Sequence, residues 1–240
     1  MIIGVLLAAG ASTRMGSPKA LVKSRGQSFL VRGVRALWAV CDKVVVVLGA
    51  DGERVCEAAG KEFEGLVAKG MLAPDVHGGP RDRTGELEVR FAFNKRWEDG
   101  MLSSARVGLS SALKLRPRGI LLQPVDHPDV KAASVQALGA MLDEALGAFG
   151  GRKNNGFAYA LVPRYKGKRG HPVALSAGLA AAITRDKVAA DLSEGIRRYA
   201  RLVGYLDVAD KGVTVNVNTP AGVTRRAPAA RRAPAQKRRA

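Results

Sequence analysis

The 240-residue chain is poor in cysteine, histidine, aromatic side chains and acid. Its two cysteines, Cys41 and Cys56, are separated by fourteen residues. That spacing fits neither a metal knuckle nor a disulfide framework, so both are expected as structural thiols in a reducing, cytoplasmic setting. The longest apolar runs, such as "VVVVL" at 44–48, fall far short of the roughly 20 residues that span a bilayer. The N-terminus shows no basic segment ahead of an apolar run and no signal-cleavage pattern. Tryptophan occurs only at Trp38 and Trp97, both expected as packing residues. Disorder of the whole chain is excluded by the 47% of hydrophobic residues, which suffice for a core.

The scarcity of acid leaves a net charge of +18. Residues 225–240, "RRAPAARRAPAQKRRA", hold seven Arg or Lys and no acid, leaving the other 224 residues 32 basic and 21 acidic side chains. With no apolar side chain larger than alanine, the tail has little to bury and is expected as a solvated arm over 223–240, able to meet nucleic acid through its phosphates. The body's own positive balance suits an enzyme of polyphosphates.

Strand and helix patterns alternate along the body. Residues 2–9 read as a buried strand, "SFLVRGVRALWAV" as an amphipathic helix and "KVVVVLGA" as a second buried strand, with Asp51 where a helix N-cap is wanted. "EVRFAFN" alternates like a strand, "LSSARVGLSSAL" is helical, "GILLQPVD" is another buried strand, and 130–146 is helical with Asp129 as its expected cap. Residues 65–88 read as a loop insertion containing a solvated His77. "AADLSEGIRRYARL" reads as a helix and "VTVNVNTP" as a final strand. This order predicts a parallel sheet covered on both faces, with ligands beyond the carboxyl ends of the strands.

The segment "LLAAGASTRMGSPKAL" at 6–21 lies at such an end. Glycine and small residues let a backbone approach a ligand closely, and free N–H groups there attract phosphate oxygens. Arg14 adds a planar fork and Lys19 a mobile point charge. Neither a Walker A loop nor G-x-G-x-x-G is present, so this is a phosphate loop of another kind.

The segment resembles the signature of the MobA-like nucleotidyltransferases, roughly L-A-A-G-x-S-x-R-M-G-x-x-K. "FNKRWEDGMLSSARVGL" is similar to the family's N-x-x-W-x-x-G-M-x-S-S segment, and "LLQPVDHPDV" to its strand ending in a metal-binding aspartate. "KRGHPVALS" resembles R-G-H-P-V of the molybdenum cofactor cytidylyltransferases, the subgroup most resembled, and "VNVNTPAGV" resembles the closing D-I-D-T-P-E-D. The resemblance covers 1–222, read as one nucleotidyltransferase domain. It implies a three-layer α/β/α Rossmann-like fold of the nucleotide-diphospho-sugar transferase type.

The activity implied is attack by a substrate phosphate on the α-phosphorus of a nucleoside triphosphate, with pyrophosphate leaving. The substrates implied are CTP and a phosphorylated acceptor, molybdopterin, with Mg²⁺ as cofactor. By the same resemblance, Arg14 and Lys19 cover the triphosphate, and Asp126 holds Mg²⁺ with Asn218. The backbone of Leu7, Ala8, Ala9 and Gly10 faces the nucleotide, and Ser104 contacts it. Gly170, His171 and Pro172 lie by the acceptor, where a protonated His171 can donate to phosphate. Asn216 and Asn218 stand where the family has D-x-D, and an amide is a weaker Mg²⁺ ligand than a carboxylate. Ser103 is expected to cap a helix, and His127 to be a neighbour without chemistry. Two alternatives stay open: transfer to a sugar phosphate or methylerythritol phosphate, and a non-catalytic nucleotide-binding protein acting through its basic tail.

Overall fold

All seven residues of the first strand are buried, as a central strand of a doubly covered sheet requires. The computed structural model describes residues 1–12, 16–68, 88–150 and 157–219. Arg14, His77, most of the expected insertion and the basic tail lie outside the described residues. The elements are β1 (Ile2–Ala8), a 3-10 turn (Lys19–Leu21), β2 (Lys23–Ser24), β3 (Gln27–Ser28), α1 (Phe29–Trp38), β4 (Lys43–Leu48), α2 (Gly52–Ala68), β5 (Glu88–Phe93), α3 (Met101–Leu113), β6 (Gly119–Pro124), α4 (Ala132–Gly150), β7 (Tyr159–Tyr165), β8 (Lys168–Arg169), β9 (Val173–Ser176), α5 (Ala177–Arg185), α6 (Leu192–Tyr199) and β10 (Leu202–Asp207).

The main sheet has the order β10-β7-β9-β6-β1-β4-β5, with β8 on β7. Strands β6, β1, β4 and β5 run parallel, as do β10 and β7, while β9 runs antiparallel to both β6 and β7. Side chains of β1 divide between the two faces by strand alternation. Ile2, Leu6 and Ala8 join α1, α2 and α4 in one core layer. Ile3, Val5 and Leu7 join α3, α5 and α6 in the other. The fold is therefore the expected α/β/α sandwich around a mostly parallel sheet.

Register positions the site. Leu7 lies level with Val47 of β4 and Pro124 of β6, so three strands end together at one rim of the sheet. Because β9 is reversed, with Val173 opposite Leu122, its entry loop reaches the same rim. Among the described residues, no helix is long and apolar enough to cross a membrane.

Three local expectations change. The expected strand at 213–220 is not found among its described residues: a 3-10 turn covers Lys211–Thr214, and residues 215–219 join no ladder. The Val213/Val217 alternation reflects burial of both side chains, but no strand partners them. Helix α2 runs to Ala68, into the segment read as loop. Asp129 pairs with Arg32 at 3.0 Å, and at the start of α4 the carboxylate of Asp210 accepts hydrogen bonds from the Lys131 N–H and the Ser134 hydroxyl.

Candidate nucleotide site

The chain leaves β1 through Ala9, Gly10, Ala11 and Ser12. Ser12 adopts φ +56°, a left-handed conformation that turns the loop back. Its hydroxyl oxygen accepts from the Lys19 N–H at 2.8 Å, which closes the loop onto the 3-10 turn. This contact brings Lys19 back over the end of β1. The approach of β4 on the other side is equally tight: a Cβ on Gly49 would lie 2.5 Å from the Ala9 carbonyl and 2.6 Å from Trp97 Cβ. Trp97 is thus a wall of the site as well as a packing residue.

The Lys19 ammonium donates to the Asn218 side-chain oxygen and lies 3.6 Å from Asp126 Oδ2. Asp126 follows β6, and its carbonyl accepts from the Val217 N–H at 2.8 Å, which places Asn218 beside it. Three residues from distant parts of the chain therefore converge at the rim, with the Lys19 and Asp126 side chains 18% and 22% exposed. These atoms suit a small divalent cation. A carboxylate and an amide oxygen are hard ligands, and a cationic group of the protein already lies between them. Among the described residues no group of three or more His, Cys, Asp or Glu gathers. A divalent cation held by Asp126 and Asn218 would need further oxygen ligands from outside the protein.

Around this set lies a cavity of about 240 Å³. Leu7, Ala8, Ala9, Gly10, Lys19, Ser104 and Asp126 all line it, joined by Ser12, Trp97 and Met101. Asn218 reaches it through Lys19, and Arg14 lies outside the described residues. Sequence reasoning overlooked Asn94, which lies behind the wall residue Ser104 and holds it. It is buried, its backbone N–H donates to the Leu48 carbonyl at 2.7 Å, and its side-chain amide donates to the hydroxyls of Ser103 (2.8 Å) and Ser104 (3.0 Å). Its position at the head of "NKRWEDGMLSS" was the available signal. Ser103 does not cap α3 as expected: Gly100 holds the N-cap position with no side-chain cap bond, and the Ser103 hydroxyl, already inside the helix, instead donates toward the carbonyls of Arg96 and Gly100, bracing the turn that enters it.

A second cavity of about 680 Å³ adjoins the first, with Met101 lining both. Gly170 and His171 line it, together with Arg169, Arg197 and Tyr205. Pro172 is buried, follows a cis peptide bond and is not part of the lining. Arg164 and Arg169 lie 4.8 and 5.4 Å from the Tyr205 ring centre, holding the basic rim on an aromatic face. Burial lowers the His171 pKa to about 4, helped by the adjacent His127 and opposed by a hydrogen bond with the backbone of Leu122. The two imidazole centres are 4.9 Å apart. At neutral pH His171 is therefore neutral, which corrects the expectation of an imidazolium donating to phosphate. Arg169 and Arg197 are the cations of this cavity.

The family described as MobA-like NTP transferase domain matches residues 4–204. Nicotine blue oxidoreductase of Paenarthrobacter nicotinovorans is 30% identical over 222 residues, 91% of this chain and 92% of its own. A probable molybdenum cofactor guanylyltransferase of Rhodopirellula baltica is 30% identical over 139 residues, 57% of this chain and 54% of its own. Among solved structures, Rv0371c of Mycobacterium tuberculosis H37Rv superposes with a TM-score of 0.61 at 23% identity, covering 93% of this chain and 96% of its own. That protein has also been solved as a manganese complex, which matches with a TM-score of 0.58 at 21% identity, covering 94% and 97%. The molybdopterin-guanine dinucleotide biosynthesis protein A of Archaeoglobus fulgidus gives a TM-score of 0.60 at 17% identity, covering 94% and 96%.

Proposed function

The chain belongs to the MobA-like NTP transferase family, and from that premise we propose that it transfers CMP from CTP to molybdopterin, releasing pyrophosphate. The observation that carries this reading is the Lys19 ammonium shared by Asp126 and Asn218 at the rim of β1 and β6, beside a second cavity with a basic lining. A phosphate nucleophile is already ionised near neutral pH, so the residues need not remove a proton. Their work is alignment and charge neutralisation. Lys19 neutralises triphosphate oxygens, and Arg14 joins it from the same loop. The strand end Leu7–Gly10 and Ser104 seat the nucleoside, Ser104 being fixed by Asn94. Arg169 and Arg197 hold the anionic acceptor, with neutral His171 and Gly170 at its reacting end. Asp126 and Asn218 would hold Mg²⁺, which would supply Lewis-acid neutralisation of the charge that develops on the phosphates.

Choice of base is the finest part of the proposal. R-G-H-P-V at 169–173 favours CTP, whereas the Rhodopirellula relative is named for guanylyl transfer. Thermal shift with CTP and with GTP, each with Mg²⁺, tests the choice. Greater stabilisation by CTP is expected, and equal or greater stabilisation by GTP overturns it. Pyrophosphate release from CTP should depend on molybdopterin.

A second reading follows from the Paenarthrobacter relative, which aligns over 91% of this chain and is named an oxidoreductase. Oxidation or reduction of nicotine blue in the second cavity would give Lys19, Asp126 and Asn218 no evident task. Consumption of a reduced nicotinamide cofactor with nicotine blue, and no pyrophosphate release with any triphosphate, would select that reading.

A further inference from the structure

We infer that Asp210, outside both cavities, is a positioning residue that sets the separation of Asp126 and Asn218 and thereby the placement of the Lys19 ammonium. The inference rests on reading the Lys19 cavity as the nucleotide site. Asp210 is buried, and its carboxylate joins two pieces of chain. Oδ2 accepts from the Lys131 N–H at 2.8 Å and the Ser134 hydroxyl at 3.0 Å, at the start of α4. Oδ1 accepts from the Gly212 N–H at 2.9 Å. One side chain thus fastens the segment 210–218 to the loop 126–131.

The same two segments meet again at their other ends, where the Val217 N–H donates to the Asp126 carbonyl. Between these fastenings the backbones are in close contact: a Cβ on Gly212 would lie 2.2 Å from the Asp129 carbonyl oxygen. The Val213 carbonyl accepts from the His171 N–H at 2.8 Å, so the segment also fixes the mouth of the second cavity. With no strand ladder to hold residues 215–219, the position of Asn218 depends on these few bonds. A neutral amide at 210 offers one acceptor oxygen where the carboxylate offers two, so at least one of its three donors loses its partner. The segment then loosens where Asn218 must meet Lys19.

The test uses the full chain as wild type, Asp210→Asn and Ser134→Ala. Two quantities are read: the Kd for CTP with Mg²⁺, and the rate at which an amine-acylating reagent modifies Lys19, followed by peptide mass spectrometry without nucleotide or metal. Asp210→Asn is expected to raise the Kd about tenfold, the scale on which partners of site ligands act, and to speed Lys19 acylation several-fold. Ser134→Ala removes one donor of three and should move both in the same direction by a smaller factor. A purely structural cap would lower Tm and leave both readouts alone. A folded Asp210→Asn with wild-type Kd and wild-type acylation overturns the inference. If that variant does not fold, an unmoved Ser134→Ala does so. Failure of the wild type to bind any nucleotide sinks the functional reading instead, while Lys19 acylation still decides the role of Asp210.

Discussion

The two cavities share one rim of one sheet but are built differently. The first is made of backbone and buried strand ends: Leu7 to Gly10, Pro124 and Val125 bring few polar side chains, and its charge is concentrated in Lys19 and Asp126. The second is made of side chains from the other half of the sheet, with exposed arginines from β8 and α6 and an aromatic ring from β10. A pocket walled by backbone tolerates little change, since Gly49 already lies against Ala9 and Trp97. A pocket walled by surface side chains can be respecified without disturbing the core. The two relatives of this chain are likewise named for different activities, one an oxidoreductase and the other a guanylyltransferase.

The largest expected effect breaks the first cavity. Asp126→Asn deletes the one carboxylate beside Lys19 and should lower pyrophosphate release by a hundredfold or more, the scale of single electrostatic groups in a transition state, roughly 3 kcal/mol. Circular dichroism and Tm should stay near wild type, because the side chain is part-exposed and the Val217 bond uses the backbone carbonyl. Wild-type turnover in this variant would remove Asp126 from the site.

Next in size is a pH effect confined to the junction of the cavities. The folded pKa of His171, about 4, lies below the ordinary 6.5. Between those values the unfolded chain holds a proton that the folded chain refuses. Stability present above pH 6.5 is therefore lost as pH falls toward 4, by roughly 2–3 kcal/mol at pH 4.5. His171→Asn should lose less stability than wild type between pH 7 and pH 4.5 in urea unfolding. Parallel losses in the two proteins would show that His171 is not held neutral by the fold.

The second cavity is broken more gently. Arg197→Ala should raise KM for the acceptor about 30-fold, equivalent to ~2 kcal/mol for a hydrogen bond to a charged group, and leave Kd for the nucleotide unchanged. A rise in nucleotide Kd with acceptor KM unmoved would reverse the assignment of the two cavities.

The first cavity was also the more legible in the sequence, for a physical reason. A central parallel strand is apolar on both faces, so β1 and β6 stand out as continuous runs, and the residues that follow such runs fall at the rim. Lys19 and Asp126 could be placed that way, whereas Ser104, inside α3, was placed only by resemblance to the family. Strand β10, "LVGYLD", lies at the sheet edge and is only half-buried, so it carries no such run. The reading extended a helix to Leu202 in its place, and Tyr205 and the basic face around it went unseen. Asn94 and Asp210 were missed because their partners decide their roles. Asn94 acts through serines ten residues on, and Asp210 acts through a helix start some eighty positions earlier. The valine alternation at 213–217 suggested a strand because burial alone produces the same pattern.

The smallest expected effect compares the two halves of the sheet through one type of substitution. Ser28 caps α1 on the nucleotide side, and its hydroxyl oxygen accepts from the Val31 N–H at 3.2 Å. Ser176 caps α5 on the acceptor side, accepting from the Leu179 N–H at 3.2 Å. Ser176 also accepts from the Tyr159 N–H at 3.0 Å and donates to the Phe157 carbonyl at 2.5 Å, so it joins β9 to the start of β7. Loss of a helix cap costs about 0.5–2 kcal/mol. Ser28→Ala should fall in the middle of that range and Ser176→Ala near its top, since the second leaves further buried backbone groups without a partner. Urea midpoints of the two variants measure the difference. Equal losses would mean that the Phe157 and Tyr159 bonds are replaced by water. In that case the acceptor half of the sheet would not depend on side-chain hydrogen bonds more than the nucleotide half does.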